Sequence, residues 1–213
     1  MVAIVDYGVG NLFSLRCSLE YIGQQCIVTG DPGALVGADK IILPGVGAFG
    51  DAASKLRSKG LDTVLKELAG AGKPLLGICL GMQLLFERSR EYGVHQGLGL
   101  LEGEIVPLVH DVDDPSCRIP QIGWNTLEPT DAAVTSSGCL LLKHIRRGDC
   151  VYYVHSYYLP CGGVTAAWSS YGKAKVSGVV HKENVMGTQF HPEKSGEVGL
   201  GILRAFCDWQ AGS

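Results

Sequence analysis

Short apolar runs rich in valine and isoleucine alternate with helical patterns through the first half of the chain, and this alternation restricts the fold more than any other feature. The runs are VAIVD (2–6), CIVT (26–29), KIILP (40–44) and LLGI (75–78); residues 11–22, 61–71 and 82–90 carry the helical patterns. Strands linked through helices run parallel, and a parallel sheet must be covered on both faces, so the expected class is α/β built from βα units. Beyond about residue 104 the pattern changes. YYVHSYYL, GVTAAWSS, AKVSGVV and VMGTQF are separated by Gly, Pro, Asp and Lys with little helical periodicity, so additional strands, several antiparallel, are expected there. A helix over residues 197–210 closes the chain. No repeat or low-complexity linker interrupts it, and 46% hydrophobic content supplies a full core, so one domain over residues 1–213 is expected. HDVDDPSC (110–117) reads as a solvated acidic loop.

Other features narrow the chemistry. Formal net charge is −3 and basic residues are nowhere interleaved with aromatics, which argues against nucleic acid and acidic membranes as partners. No stretch of 18 apolar residues occurs, and MVAIVDYG has no basic region leading into a long apolar segment, so neither membrane spanning nor secretion is indicated. Eight cysteines are present without any C-x-x-C pair, so no metal is expected and most should be plain buried thiols of a reduced, cytoplasmic protein.

Cys79 is the exception. In LLGICLGMQ (75–83) it stands where an apolar strand turns into a helix, with Gly77 and Gly81 on either side. G-x-C-x-G repeats the logic of the G-x-S-x-G nucleophile elbow with sulfur for oxygen: the glycines leave room for a tight corner, and the helix N-terminus offers N–H groups to a thiolate and to an oxyanion. A thiol nucleophile requires an imidazole, and the imidazole an orienting acceptor. GTQFHPEKS (187–195) provides His191 followed two residues later by Glu193 across Pro192, a spacing that puts both side chains on one side of an extended segment. Leu80 N–H is one expected oxyanion donor. LPGVGAFGD (43–51) offers a second in the Val46 to Gly47 peptide, freed by its glycines, although P-G-V-G also reads as a strand-exit turn. DYGVGN (6–11) copies the start of a dinucleotide fingerprint, but Phe13 stands where the third glycine belongs, so no nucleotide is expected there and Asn11 reads as a helix N-cap.

GICLGMQLLF, PGVGAFG and HPEKS together resemble the class I (triad) glutamine amidotransferases. DYGVGN, IGWN (122–125) and VHSYY (154–158) narrow the resemblance to the glutaminase subunits of imidazole glycerol phosphate synthase, from histidine biosynthesis. The resemblance implies a flavodoxin-like three-layer α/β/α fold and hydrolysis of L-glutamine by Cys79, His191 and Glu193 without a cofactor. It also implies a (βα)8-barrel synthase subunit that receives the ammonia in a heterodimer. It assigns glutamine recognition to Gly45, Gly47, Gln83, Glu91, Ser156 and Tyr157, and partner contact to Asn11, Gln121, Trp124 and Lys194. Trp124 reads equally well, by residue type, as a core residue. Glu91 sets a condition, because continuous helix from Cys79 would carry it about 18 Å away; the chain must leave the helix and fold back. The family pattern has Pro-His before the GWN stretch, whereas this chain has Pro120 and Gln121, which admits a related glutaminase feeding amidination of surface sugars. A silent scaffold and a dienelactone-type cysteine hydrolase are the other readings. The first has no need of three convergent triad residues, and the second places its acid before its histidine.

Overall fold

The computed structural model describes residues 1–134 and 138–209. In chain order the elements begin β1 (Val2–Val5), α1 (Leu12–Tyr21), β2 (Cys26–Thr29), α2 (Pro32–Gly37), β3 (Lys40–Gly45), α3 (Phe49–Ser58), α4 (Leu61–Gly70), β4 (Leu75–Cys79) and α5 (Leu80–Leu84). They continue with β5 (Phe86–Ser89), β6 (His95–Gln96), β7 (Leu101–Pro107), β8 (Gln121–Pro129), α6 (Asp131–Val134), β9 (Asp149–His155), β10 (Tyr157–Tyr158), β11 (Thr165–Tyr171), β12 (Ala174–Lys182), β13 (Val185–Thr188) and α7 (Gly196–Asp208). A nine-stranded sheet runs in the order β2-β1-β3-β4-β13-β12-β11-β8-β9, and a four-stranded sheet in the order β10-β7-β5-β6. From β2 to β13 neighbouring strands are parallel; from β13 to β9 they are antiparallel.

Alternation along the strands builds two hydrophobic layers. Val2 and Ile4 of β1, with Ile42, Leu76 and Ile78, pack against Leu15 and Leu19 of α1 and Ile202, Leu203 and Phe206 of α7. Ala3 and Val5, with Ile41, Leu43 and Leu75, pack on the opposite face against α2, α3 and α4 through Leu35, Phe49, Leu56, Leu61 and Leu65. Successive strand residues point to opposite faces, so a strand apolar at every position demands helices on both sides.

The structure corrects several expectations. The helix over residues 82–90 stops at Leu84, and residues 86–89 form β5 instead. Met82, Leu85, Phe86 and Ser89 do have helical spacing, but pairing of β5 with β7 and β6 overrides it. Three further helices, α2, α3 and α6, were not expected. The first opens with Asp31, whose carboxylate accepts from Ala34 N–H at 2.8 Å. Asn11 stands at the N-cap position of α1, yet its side chain makes no cap hydrogen bond. Only Cys79 and Cys139 of the eight cysteines are buried, while Cys17, Cys150 and Cys161 are exposed, so most are not core thiols. In the acidic loop Asp111 and Asp113 are exposed, but Val112 is buried beneath them. The last helix ends at Asp208, and Gln210, its expected end, lies outside the described residues.

Candidate active site

Strand order assembles the site. β4 lies between β3 and β13, all three parallel, so the segments leaving their carboxyl ends emerge side by side. Ligands of open α/β sheets bind at this edge. Cys79 ends β4 paired with Gly45 at the end of β3. Its φ of 55° and ψ of −112° form the strained corner from which α5 starts. The glycines around it are required by contact. A Cβ on Gly81 would sit 1.8 Å from Leu43 O, one on Gly77 2.6 Å from Met82 Cα, and one on Gly45 2.8 Å from both Gly81 N and Tyr7 Oη. Tyr7 Oη in turn donates to Pro44 O at 2.8 Å, bracing the strand that leads into the Val46 and Gly47 loop.

A cleft of about 540 Å³ opens over this corner, lined among others by Val46, Gly47, Cys79, Leu80, Gln83, Glu91, Ser156, Tyr157 and His191. Its size suits a small-molecule ligand. His191 Nδ1 and Glu193 Oε1 are 2.9 Å apart and both side chains are buried. Burial alone would depress the His191 imidazole; the Cys79 sulfur and the Glu193 carboxylate outweigh it and lift the ring to about 10. The thiol and imidazole are neighbours, not yet hydrogen-bonded: His191 Nε2 has no partner among the described residues, and Cys79 S–H instead points to Val154 O at 3.8 Å. The expected continuous line from sulfur to carboxylate is therefore formed on its His191–Glu193 side and open on its thiol side. Catalytic contacts of this kind commonly tighten only with substrate bound.

Gln83 is buried at the cleft wall. Glu91 also faces the cleft, because the early end of α5 turns the chain back, and its carboxylate accepts from Phe49 N–H at the start of α3. Burial raises its carboxyl above the ordinary value, while the Phe49 N–H and His95 oppose that rise. Asn11 lines a narrow crevice with Pro44, His191 and Glu193. Trp124 is 59% exposed on β8 and meets Tyr152 edge-on at 5.9 Å, so it is a surface residue rather than a core one. Lys194 is exposed and lies over the same Tyr152 ring. Gln121 differs from its expected place at the surface: it is only 3% exposed, with Oε1 buried and unpaired among the described residues, since β8 turns Gln121 inward and Ile122 outward.

Two residues were missed in the sequence, His155 of the cleft lining and the buried Gln189. His155, fully buried, bonds Tyr157 O through Nδ1 at 3.1 Å, and burial depresses its ring to about 4. Gln189 approaches the Cys79 sulfur at 3.8 Å. Both lay in stretches already singled out, two residues from a residue already chosen; the period of two along a strand was the available signal.

A strand-end thiol on a left-handed corner, a buried histidine–glutamate pair beside it and a cleft at the carboxyl edge of a parallel sheet define an α/β protein equipped for thiol-based acyl transfer. The chain belongs to the family described as glutamine amidotransferase class-I, whose model matches residues 3–208. It is 49% identical to the "Imidazole glycerol phosphate synthase subunit HisH" of Bacillus cereus, over 97% of this chain and 93% of that protein. The proteins of that name from Wolinella succinogenes and Lactococcus lactis are 45% and 42% identical, over 98% and 97% of this chain and 99% and 98% of their own lengths. Among solved structures, one described as a glutamine amidotransferase superimposes with a TM-score of 0.72 at 18% identity, covering 97% of this chain and all of its own. PurLQS from Thermotoga maritima gives 0.72 at 20% identity, with 97% of each chain covered. These two likenesses establish the flavodoxin-like class-I fold.

Proposed function

We propose that this chain is the glutaminase subunit of imidazole glycerol phosphate synthase, releasing ammonia from L-glutamine for a (βα)8-barrel partner in histidine biosynthesis. The observation that carries this reading is the cleft shared by Cys79 and the His191–Glu193 pair, in a chain nearly half identical over almost its full length to proteins named as that subunit. In the reaction, the Cys79 sulfur attacks the side-chain amide carbon of glutamine as the thiolate of a thiolate–imidazolium pair with His191, the state that the raised ring favours. Leu80 N–H and the Val46 to Gly47 peptide hold the resulting oxyanion. The imidazolium passes its proton to the departing nitrogen, which leaves as ammonia, and a γ-glutamyl thioester remains. Water, deprotonated by His191, then attacks the thioester and expels the Cys79 sulfur, which restores the thiolate beside the imidazolium as glutamate departs. Glu193 holds the ring through Nδ1 and leaves Nε2 to face the reacting atoms. Gln83, Glu91, Ser156 and Tyr157, with Gly45 and Gly47, hold the glutamine.

Ammonia released into water at neutral pH would be protonated and lost to an acceptor reaction, which favours a partner seated over the cleft. Support comes from the cleft rim, where Val46, Tyr92 and Val109 are exposed, and from exposed Ile122 and Trp124 on β8. With Lys194 and Asn11 they make the proposed barrel-facing surface, without Gln121. Because Gln121 is buried, its departure from the family pattern leaves the exposed face unchanged, and the sugar-amidination reading loses the feature that suggested it. Free thiols throughout fit a reducing cytoplasm, and among the described residues no helix is long and apolar enough to cross a membrane.

The test measures glutamate release by the chain with and without the barrel subunit. The expected result is near-silence alone and strong turnover in the complex. Cys79→Ala should abolish glutamine hydrolysis while leaving synthesis from added ammonium intact. Glutamine hydrolysis surviving in Cys79→Ala would require a different nucleophile, and full turnover by the chain alone would remove the dependence on the partner.

A further inference from the structure

Gln189 lies one residue beyond β13, wholly buried and outside every role assigned above. Its side-chain amide is oriented by a directional chain of hydrogen bonds. Tyr157 O can only accept, so Gln83 must turn its Nε2 toward it, and that bond is 2.8 Å. The second hydrogen of the same Nε2 goes to Gln189 Oε1 at 3.1 Å. With its oxygen thus occupied, Gln189 presents Nε2, at 3.8 Å, to the Cys79 sulfur. A backbone carbonyl on the cleft wall therefore dictates that the nucleophile meets an N–H donor and not a carbonyl oxygen.

The sulfur has two polar neighbours with opposite preferences. Val154 O accepts the S–H and favours the neutral thiol. Gln189 N–H gains strength when the sulfur becomes an anion, because hydrogen bonds to ionised acceptors are roughly twice as strong as neutral ones. We propose that Gln189 is a positioning residue that stabilises the Cys79 thiolate, set in direction by the relay from Tyr157 O through Gln83. The same contact assists twice, once when the thiol loses its proton to attack and again when water expels the sulfur from the thioester. Gln83 then joins the glutamine-binding wall to the nucleophile, so the direction of the donor depends on a residue that faces substrate.

The proposal rests on Cys79 being the nucleophile, and its test needs no glutamine, so a failure of the glutaminase reading remains distinguishable from a failure here. The full-length chain is alkylated with iodoacetamide across pH, and labelling at Cys79 is read by mass spectrometry of its peptide, which separates it from the other cysteines. Gln189→Met keeps the bulk and removes the donor. It should shift the pH midpoint of Cys79 labelling upward by about one unit, which is about tenfold slower labelling below the midpoint, with the rate at high pH unchanged. Gln189→Glu, which turns a carboxylate toward the sulfur, should shift it further. Gln83→Met, which frees the Gln189 amide to rotate, should shift it in the same direction by less. Any folded member of this set decides the matter. An unmoved midpoint, or a loss of labelling uniform across pH, would make Gln189 a packing residue and overturn the proposal.

Discussion

At the scale of single residues, the site is shaped by backbone approach more than by the side chains that carry the chemistry. The corner at Cys79 exists because the chain on either side has no Cβ to collide with its neighbours. Gly81 and Gly47 separate the two ways in which a glycine can be required. At Gly81 an added Cβ meets the Leu43 carbonyl oxygen at 1.8 Å, and backbone cannot move aside cheaply. At Gly47 nothing lies within 4 Å, but φ is +95°. Gly81→Ala should therefore cost about 3 kcal/mol or prevent folding, as severe overpacking does. Gly47→Ala should cost only about 1–2 kcal/mol of backbone strain. Urea unfolding of both variants checks this, and equal destabilisation would contradict the crowded-corner account.

At the scale of elements, the decisive event is the early end of α5. Its last carbonyls are taken by backbone from further along the chain: Leu98 N–H bonds Leu84 O at 2.8 Å, and Leu100 and Leu101 bond Leu85 O at 2.9 and 3.0 Å. Arg88 and Arg90 both pair with Glu104 across the small sheet. None of these partners is visible in a local window, which is why residues 82–90 read as helix. The return brings Glu91 to the first N–H of α3, whose N-cap, Ala48, has no side-chain acceptor. Glu91 thus serves as a remote cap, a carboxylate at a helix N-terminus. Glu91→Ala should lower stability by about 1 kcal/mol, seen in the urea midpoint, and raise the KM for glutamine about tenfold with kcat little changed. An unchanged midpoint would remove the capping role, and an unchanged KM the binding role. The same division explains what was legible. β1, β3, β4, α1 and α4 announce themselves through local period, and Cys79, His191 and Glu193 through adjacent glycine or proline. Gln189 was marked only by its place two residues before His191, while its meaning lies in a sulfur 110 residues away. α3 was legible in principle from Phe49, Ala52, Ala53 and Leu56, but the glycines before it drew the reading toward a loop.

At the scale of the whole molecule, the sheet brings two histidines of opposite character to one cleft, His191 beyond β13 and His155 at the end of β9. They should bend the stability profile in opposite directions. Burial depresses His155 to about 4, so the unfolded chain, with an ordinary histidine near 6.5, binds a proton that the folded chain refuses. Stability is then lost as pH falls from about 6.5 to 4, by at most about 3 kcal/mol from this group. For His191 burial acts downward, but the Cys79 sulfur and Glu193 outweigh it and hold the ring near 10, so the folded chain keeps a proton that the unfolded chain releases. That contribution is fully present below about 6.5 and is lost as pH rises through 10. Differences between variants isolate each limb from the other titrating groups. Relative to the parent chain, His155→Gln should gain stability steadily between pH 6.5 and 4 and hold a constant offset above 7. Glu193→Gln should lose most at pH 6 and progressively less toward pH 10, because the charge it no longer pairs is by then absent from the parent. Urea unfolding at pH 4.5, 7 and 9.5 reads both, and an acid limb that persists in His155→Gln would show that the loss comes from carboxylates elsewhere in the fold and not from the histidine at the cleft.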